Sequence, residues 1–88
     1  MRYYIGIIHK DEDSDLGISF PDFQGCISAG SDLAELSEMG KEALSMHISL
    51  LEEDGLPIPG PSSIDVVMED PDNRTGISVL VPAAEVTA

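Results

Sequence analysis

The stretch Phe20-Pro21-Asp22-Phe23-Gln24-Gly25-Cys26-Ile27-Ser28-Ala29-Gly30-Ser31-Asp32 decides how the rest of the chain is read. Leu16-Gly17-Ile18-Ser19-Phe20 leads into it with the alternation of a strand, and Pro21-Asp22 turns the chain sharply. A short third strand restarts at Cys26 and runs to Ala29, Gly30 ends it, and Ser31-Asp32 signals a helix start.

Downstream, a helix is predicted from Asp32 to about Asp54. Asp32 with Glu35 three residues on makes a capping-box-like start, and early acids suit the positive end of a helix. Leu33, Leu36, Gly40, Ala43, Leu44, His47, Leu50 and Leu51 recur at helical spacing as one apolar stripe. The small residues Gly40 and Ala43 should let the backbone approach a sheet closely. Gly55 supplies a left-handed stop, and Pro57 prevents continuation. Leu56-Pro57-Ile58-Pro59-Gly60-Pro61 follows as a stiff extended connector.

Upstream, Tyr3 to Ile8 reads as an interior strand, with Tyr3, Ile5 and Ile7 on one face and Tyr4 and Ile8 on the other. The polar run Asp11-Glu12-Asp13-Ser14-Asp15 turns it into the second strand as a hairpin. Near the end, Ser63 to Glu69 suits one short helix capped by Ser62 or Ser63, although Ile64, Val66 and Val67 leave a strand open. Asp70-Pro71-Asp72-Asn73 reads as a turn, and Ile77 to Val81 as the last strand.

Composition narrows the function. The net charge of −13, seventeen acids against four bases, repels phosphate backbones and favours a basic protein partner. Direct nucleic-acid binding is therefore not expected: Arg2, Lys10, Lys41 and Arg74 are scattered over different elements. The lone Cys26 cannot form an internal disulfide, which fits a reducing cytosol, and a cytoplasmic location is expected. No apolar run reaches the roughly 18 residues of a membrane span, so no membrane partner is expected.

Catalytic and metal readings fare poorly. Asp11, Asp13 and Asp15 alternate as in a calcium loop, with Asp22 at the twelfth position, but Leu16 stands where such a loop needs glycine. A two-metal nuclease needs carboxylates converging from adjacent strands, and the first strand offers none. No catalytic residue, metal or cofactor is expected. His47, inside the apolar stripe, reads as a hydrogen-bonded core histidine. Cys26 reads as a small buried hydrophobe, completing a structural set with Leu36, Ala43, Leu44 and Leu51.

The layout, and the Phe-Pro-Asp-x-x-Gly-Cys turn at Phe20 to Cys26 above all, resembles the HicB antitoxins of bacterial HicA–HicB toxin–antitoxin pairs. The resemblance runs from Tyr3 to about Pro82; Gln24 departs from it, standing where the family commonly has proline. It implies an α+β, partial RNase H-like domain of order β-β-β-α-β, with a long helix on one face of a four-stranded mixed sheet. By a right-handed crossover the last strand should lie parallel to the first. It also implies a function, binding and blocking a basic, RNA-cleaving HicA-like toxin. Residues 1–82 would be the toxin-neutralising domain. Residues 83–88 would be a tail, or the start of a linker to the DNA-binding module that full-length members usually carry.

One helix covers one sheet face, so the other face should present apolar residues to a partner. Asp11, Glu12, Asp13 and Asp15 at the hairpin tip, with Asp22 and Phe23 in the turn, are the candidate toxin contacts, chosen for exposure and charge. Self-association into a homodimer or higher oligomer is left open. The other functions consistent with the sequence are a solitary HicB-like regulator and, far less in keeping with the first strand, a metal-dependent nuclease.

Overall fold

The computed structural model describes residues 2–10 and 15–83. Strands β1 (Arg2–Lys10), β2 (Leu16–Ser19) and β3 (Ile27–Gly30) lead into helix α1 (Leu33–Glu53). The one-turn helices α2 (Ile64–Val67) and α3 (Pro71–Arg74) then precede strand β4 (Ile77–Ala83). The four strands form one sheet in the order β3-β2-β1-β4, which puts the apolar β1 in its interior.

All three pairings are antiparallel, so the sheet is not mixed and β4 does not lie parallel to β1. The reason is the path of the chain. Gly30 leaves β3 at the sheet end shared with Leu16 and Lys10, and α1 descends one face toward the opposite end. A single crossing would have returned β4 parallel to β1. Instead the connector is anchored at that lower end, where Asp22 holds Ser62, and residues 63–76 climb the second face. Strand β4 therefore starts beside Ile8 and runs down to pair Ala83 with Arg2.

Helix α1 is held at both ends. The Asp32 carboxylate accepts the Glu35 N–H at 2.8 Å. Glu35 reaches back to accept the Ser31 N–H at 3.1 Å, a capping box displaced by one residue. At the other end Gly55 N–H donates to Glu52 and Leu56 N–H to Leu51, the paired bonds of a Schellman motif. The short α2 is capped by the Ser63 side chain, which settles the helix-or-strand ambiguity of this segment. Asp70 starts α3 where a simple turn was expected.

The main core lies between α1 and the sheet, with Tyr4, Ile18, Phe20 and Val81 packed on Leu36, Leu44 and Ile48. The buried line of α1 is Leu36, Gly40, Leu44 and Ile48. The sequence-expected stripe is therefore rotated: Ile48 joins its centre, Ala43, His47 and Leu51 are half-buried at its margin, and Leu33 and Leu50 are exposed. Gly40 allows the helix to sit close, since a Cβ there would stand 3.2 Å from the Ile18 side chain. On the second face Val67 and Met68 cover Ile5 and Ile7 in a smaller cluster. That face is partly roofed by α2, where the sequence suggested a bare sheet.

Candidate partner-binding surfaces

The turn between β2 and β3 closes on itself through backbone bonds. Phe23 N–H donates to Phe20 at 2.9 Å, Cys26 N–H to Phe23 at 3.1 Å, and Phe20 N–H to Cys26 at 3.2 Å. Gly25 takes φ +85°, a left-handed conformation that side chains disfavour. The tight path drives Phe20, Phe23 and Cys26 inward, and all three are buried. Burial pushes the Cys26 thiol above its ordinary pKa, which keeps it protonated and unreactive.

Phe23 is only 3% exposed, so the expectation that it lies on the surface as a partner contact is corrected. Its ring meets the Tyr4 ring edge-on at a centroid distance of 4.8 Å and the His47 ring at 5.6 Å. A turn of seven residues carries no periodicity, and its direction follows from the closing bonds instead. Asp22, half-buried, accepts from Ser62 N–H at 2.9 Å and from Ser62 Oγ at 2.5 Å. Beside it the Tyr4 hydroxyl donates to the Pro59 carbonyl at 2.7 Å. Together these contacts pin the connector of residues 54–63 to the lower end of the sheet. His47 was expected to be held by a hydrogen bond. Among the described residues its ring instead meets that of Phe23 at an interplanar angle of 68°.

The remaining candidates lie elsewhere. Asp15 is exposed at the start of β2, at the upper end of the sheet, far along the strand from the turn that holds Asp22. Asp11, Glu12 and Asp13 lie outside the described residues. Among the described residues no cluster of three or more His, Cys, Asp or Glu is placed to hold a metal, and no helix is long and apolar enough to cross a membrane.

Exposed apolar side chains among the described residues include Ile27, Leu33 and Ile77, and two groups stand out. On the second sheet face, Tyr3 on β1 and Leu80 on β4 project beside the α2 roof, Leu80 being 67% exposed. On α1, Met39, Met46 and Leu50 lie along the flank of the helix next to its buried line. The stripe read from the sequence includes Leu50 but not Met39 or Met46, so this flank is not among the expected surfaces. The readable signal was width: the apolar positions of α1 span more of the helix than one sheet face covers.

Known proteins share this architecture. Residues 4–87 match the family model described as HicB-like antitoxin of bacterial toxin–antitoxin system. The fold is similar to the crystal structure of the Burkholderia pseudomallei antitoxin HicB, with a TM-score of 0.82 and 25% identity over 94% of this chain and 64% of that one. It is also similar to a chain of a HicA3–HicB3 toxin–antitoxin complex, with a TM-score of 0.77 and 30% identity over 94% of this chain and 99% of that one. An uncharacterized 14.9 kDa protein from the rep-hol intergenic region of Haemophilus phage HP1 is 36% identical over 64 residues, 73% of this chain. The chain spans about half the length of that curated relative, 48%. With the match extending through the β2–β3 turn, α1 and β4, the chain belongs to the HicB-like antitoxin family.

Proposed function

We propose that the chain is a toxin-binding antitoxin domain that captures a basic HicA-like ribonuclease and holds it inactive, without catalysis of its own. The observation that carries this reading is the similarity to a chain of a HicA3–HicB3 complex, which extends over 99% of that chain. Its fold is therefore matched nearly whole rather than in one motif.

The surface chemistry supports it. A chain at −13 attracts a cationic partner over a distance set by ionic strength and accelerates the encounter. On α1 the exposed acids Glu38, Glu42, Glu52 and Glu53 face solvent with only Lys41 among them. The same field opposes operator DNA, so these 88 residues leave promoter fragments unbound and act in the cytoplasm on a protein target.

Co-expression with a basic HicA-like toxin tests the reading. The two proteins should co-purify, and the complex should leave a reporter RNA intact. A toxin that keeps cleaving RNA in excess of this chain would overturn it, whatever the binding surface.

A further inference from the structure

The outer flank of α1 is built as a docking seam. Met39, Ala43, Met46 and Leu50 follow one another at spacings of four, three and four residues. At about 100° per residue those spacings keep them on one narrow strip of the helix. The strip lies immediately beside the buried line Leu36, Gly40, Leu44 and Ile48; Ala43 touches the core at its margin, whereas Met39, Met46 and Leu50 are exposed. Met39, Met46 and Leu50 are 41%, 60% and 54% exposed, and the small Ala43 between them is half-buried. Methionine's unbranched side chain adapts its shape to a partner.

The acids say what kind of partner. Glu35, Glu42 and Glu53 fall on the solvent side of the same strip, so the apolar seam is edged by negative charge. A second copy of this chain would bring another −13 against those glutamates, which disfavours self-association through this flank. Around Tyr3 and Leu80 the sheet face is already partly roofed by Val67 and Met68, and the exposed acids nearby, Asp65 and Glu69, sit on and just after that roof rather than in a row along an apolar strip.

From this juxtaposition we infer that the Met39–Met46–Leu50 flank of α1 is the contact surface for the basic protein partner. Its apolar seam meets an apolar patch on that partner, and Lys or Arg side chains around the patch pair with Glu42 and Glu53. This inference rests on the antitoxin reading and adds the surface through which it works. The seam supplies most of the affinity, because buried apolar anchors dominate interfaces, while the rim glutamates set the association rate and its salt dependence.

The test uses the full chain and a basic HicA-like toxin that it inhibits, in a catalytically inactivated form, with affinity measured by calorimetry and association rate by stopped-flow mixing. Met46→Glu combined with Leu50→Glu keeps strong helix formers at exposed positions, and should weaken binding by roughly thirtyfold or more. Glu42→Lys with Glu53→Lys should slow association and flatten its salt dependence. Leu80→Glu on the second sheet face should change affinity less than about threefold. Thermal melts establish that each variant is folded; should the double seam variant melt early, the rim pair decides.

Unchanged binding and salt dependence in the rim pair, or loss of binding in Leu80→Glu alone, would overturn the assignment and move the partner to the sheet face. A parent chain that sediments as a dimer and becomes monomeric in the seam variant, with toxin binding intact, would assign the flank to a second copy and also overturn it. In both cases the parent still inhibits the toxin, which separates failure of this surface from failure of the antitoxin reading. A parent chain that neither binds nor inhibits the toxin removes both.

Discussion

Phe23 and Met46 are both large apolar side chains in segments that read as surface, a loop in one case and the flank of an acidic helix in the other. The structure treats them oppositely. Phe23 is enclosed between Tyr4 and His47 in a turn whose neighbouring Asp22 holds the connector, whereas Met46 projects into solvent. The most recognisable stretch of the chain therefore fastens the fold together. The plainer stretch of α1 leaves apolar side chains in solvent. A motif identifies a family because its geometry is hard to replace, and here the geometry is a lock between β2, β3 and the connector. The surface that meets another molecule needs only size, polarity and spacing, and leaves a weaker trace in the sequence.

Breaking the lock should give the largest effect on stability. Phe23→Ala removes a ring enclosed on both sides and should destabilise the chain by about 3–4 kcal/mol through lost burial and the cavity left behind. Urea unfolding monitored by circular dichroism measures it, and a loss below about 1 kcal/mol would return Phe23 to the surface. Asp22→Ala should follow. It removes two hydrogen bonds to Ser62, leaves that N–H and hydroxyl without their partner, and should cost about 1.5–3 kcal/mol. Faster amide exchange at Ser62 and Ser63 in that variant would show that the connector has lost its anchor.

Phe23 and the connector also mark where sequence reading reached its limit. The helix was legible because Asp32, Glu35 and Gly55 act within a few residues of themselves, and local chemistry is what a sequence displays. The reversed direction of β4 was not. It depends on where residues 54–63 are pinned, and that rests on Asp22 and Tyr4, 40 and 55 residues away from their partners. The rotation of the α1 stripe was hidden for a related reason. Apolar side chains at Ala43, Met46, Ile48 and Leu50 allow several seats on a sheet, and the close approach of Gly40 to Ile18 selects one. For the candidate contacts, charge and loop position correctly left Asp15 outside the core, but they could not register the enclosure of Phe23.

His47 lies between the two regions, on α1 yet facing the turn, and its replacement should have an intermediate effect. Its half-buried ring packs against that of Phe23 in a T-shaped pair, so His47→Ala forfeits that aromatic contact and part of its burial. A loss of about 1–2 kcal/mol is expected, read from the same urea transitions. The effects of His47→Ala and Phe23→Ala should fall short of additive, because each removes the other's partner. Full additivity would mean that the two rings do not support one another and that the turn is locked by Asp22 alone.

Met46 itself should show the smallest effect, and its smallness is the point. At 60% exposure its side chain has little to lose in the isolated chain, and glutamine keeps its length and nearly its helix propensity. Met46→Gln should therefore leave unfolding free energy within about 0.5 kcal/mol of the parent. A residue retained for packing could not tolerate such a change, since a buried polar amide without partners costs roughly 1–3 kcal/mol. Paired with Phe23→Ala in the same buffer, the measurement separates apolar residues that hold the fold from those that do not. A loss above 1 kcal/mol in Met46→Gln, about the average for a point mutation, would place Met46 with Phe23. The outer flank of α1 would then be part of the core, with no apolar seam left for a partner.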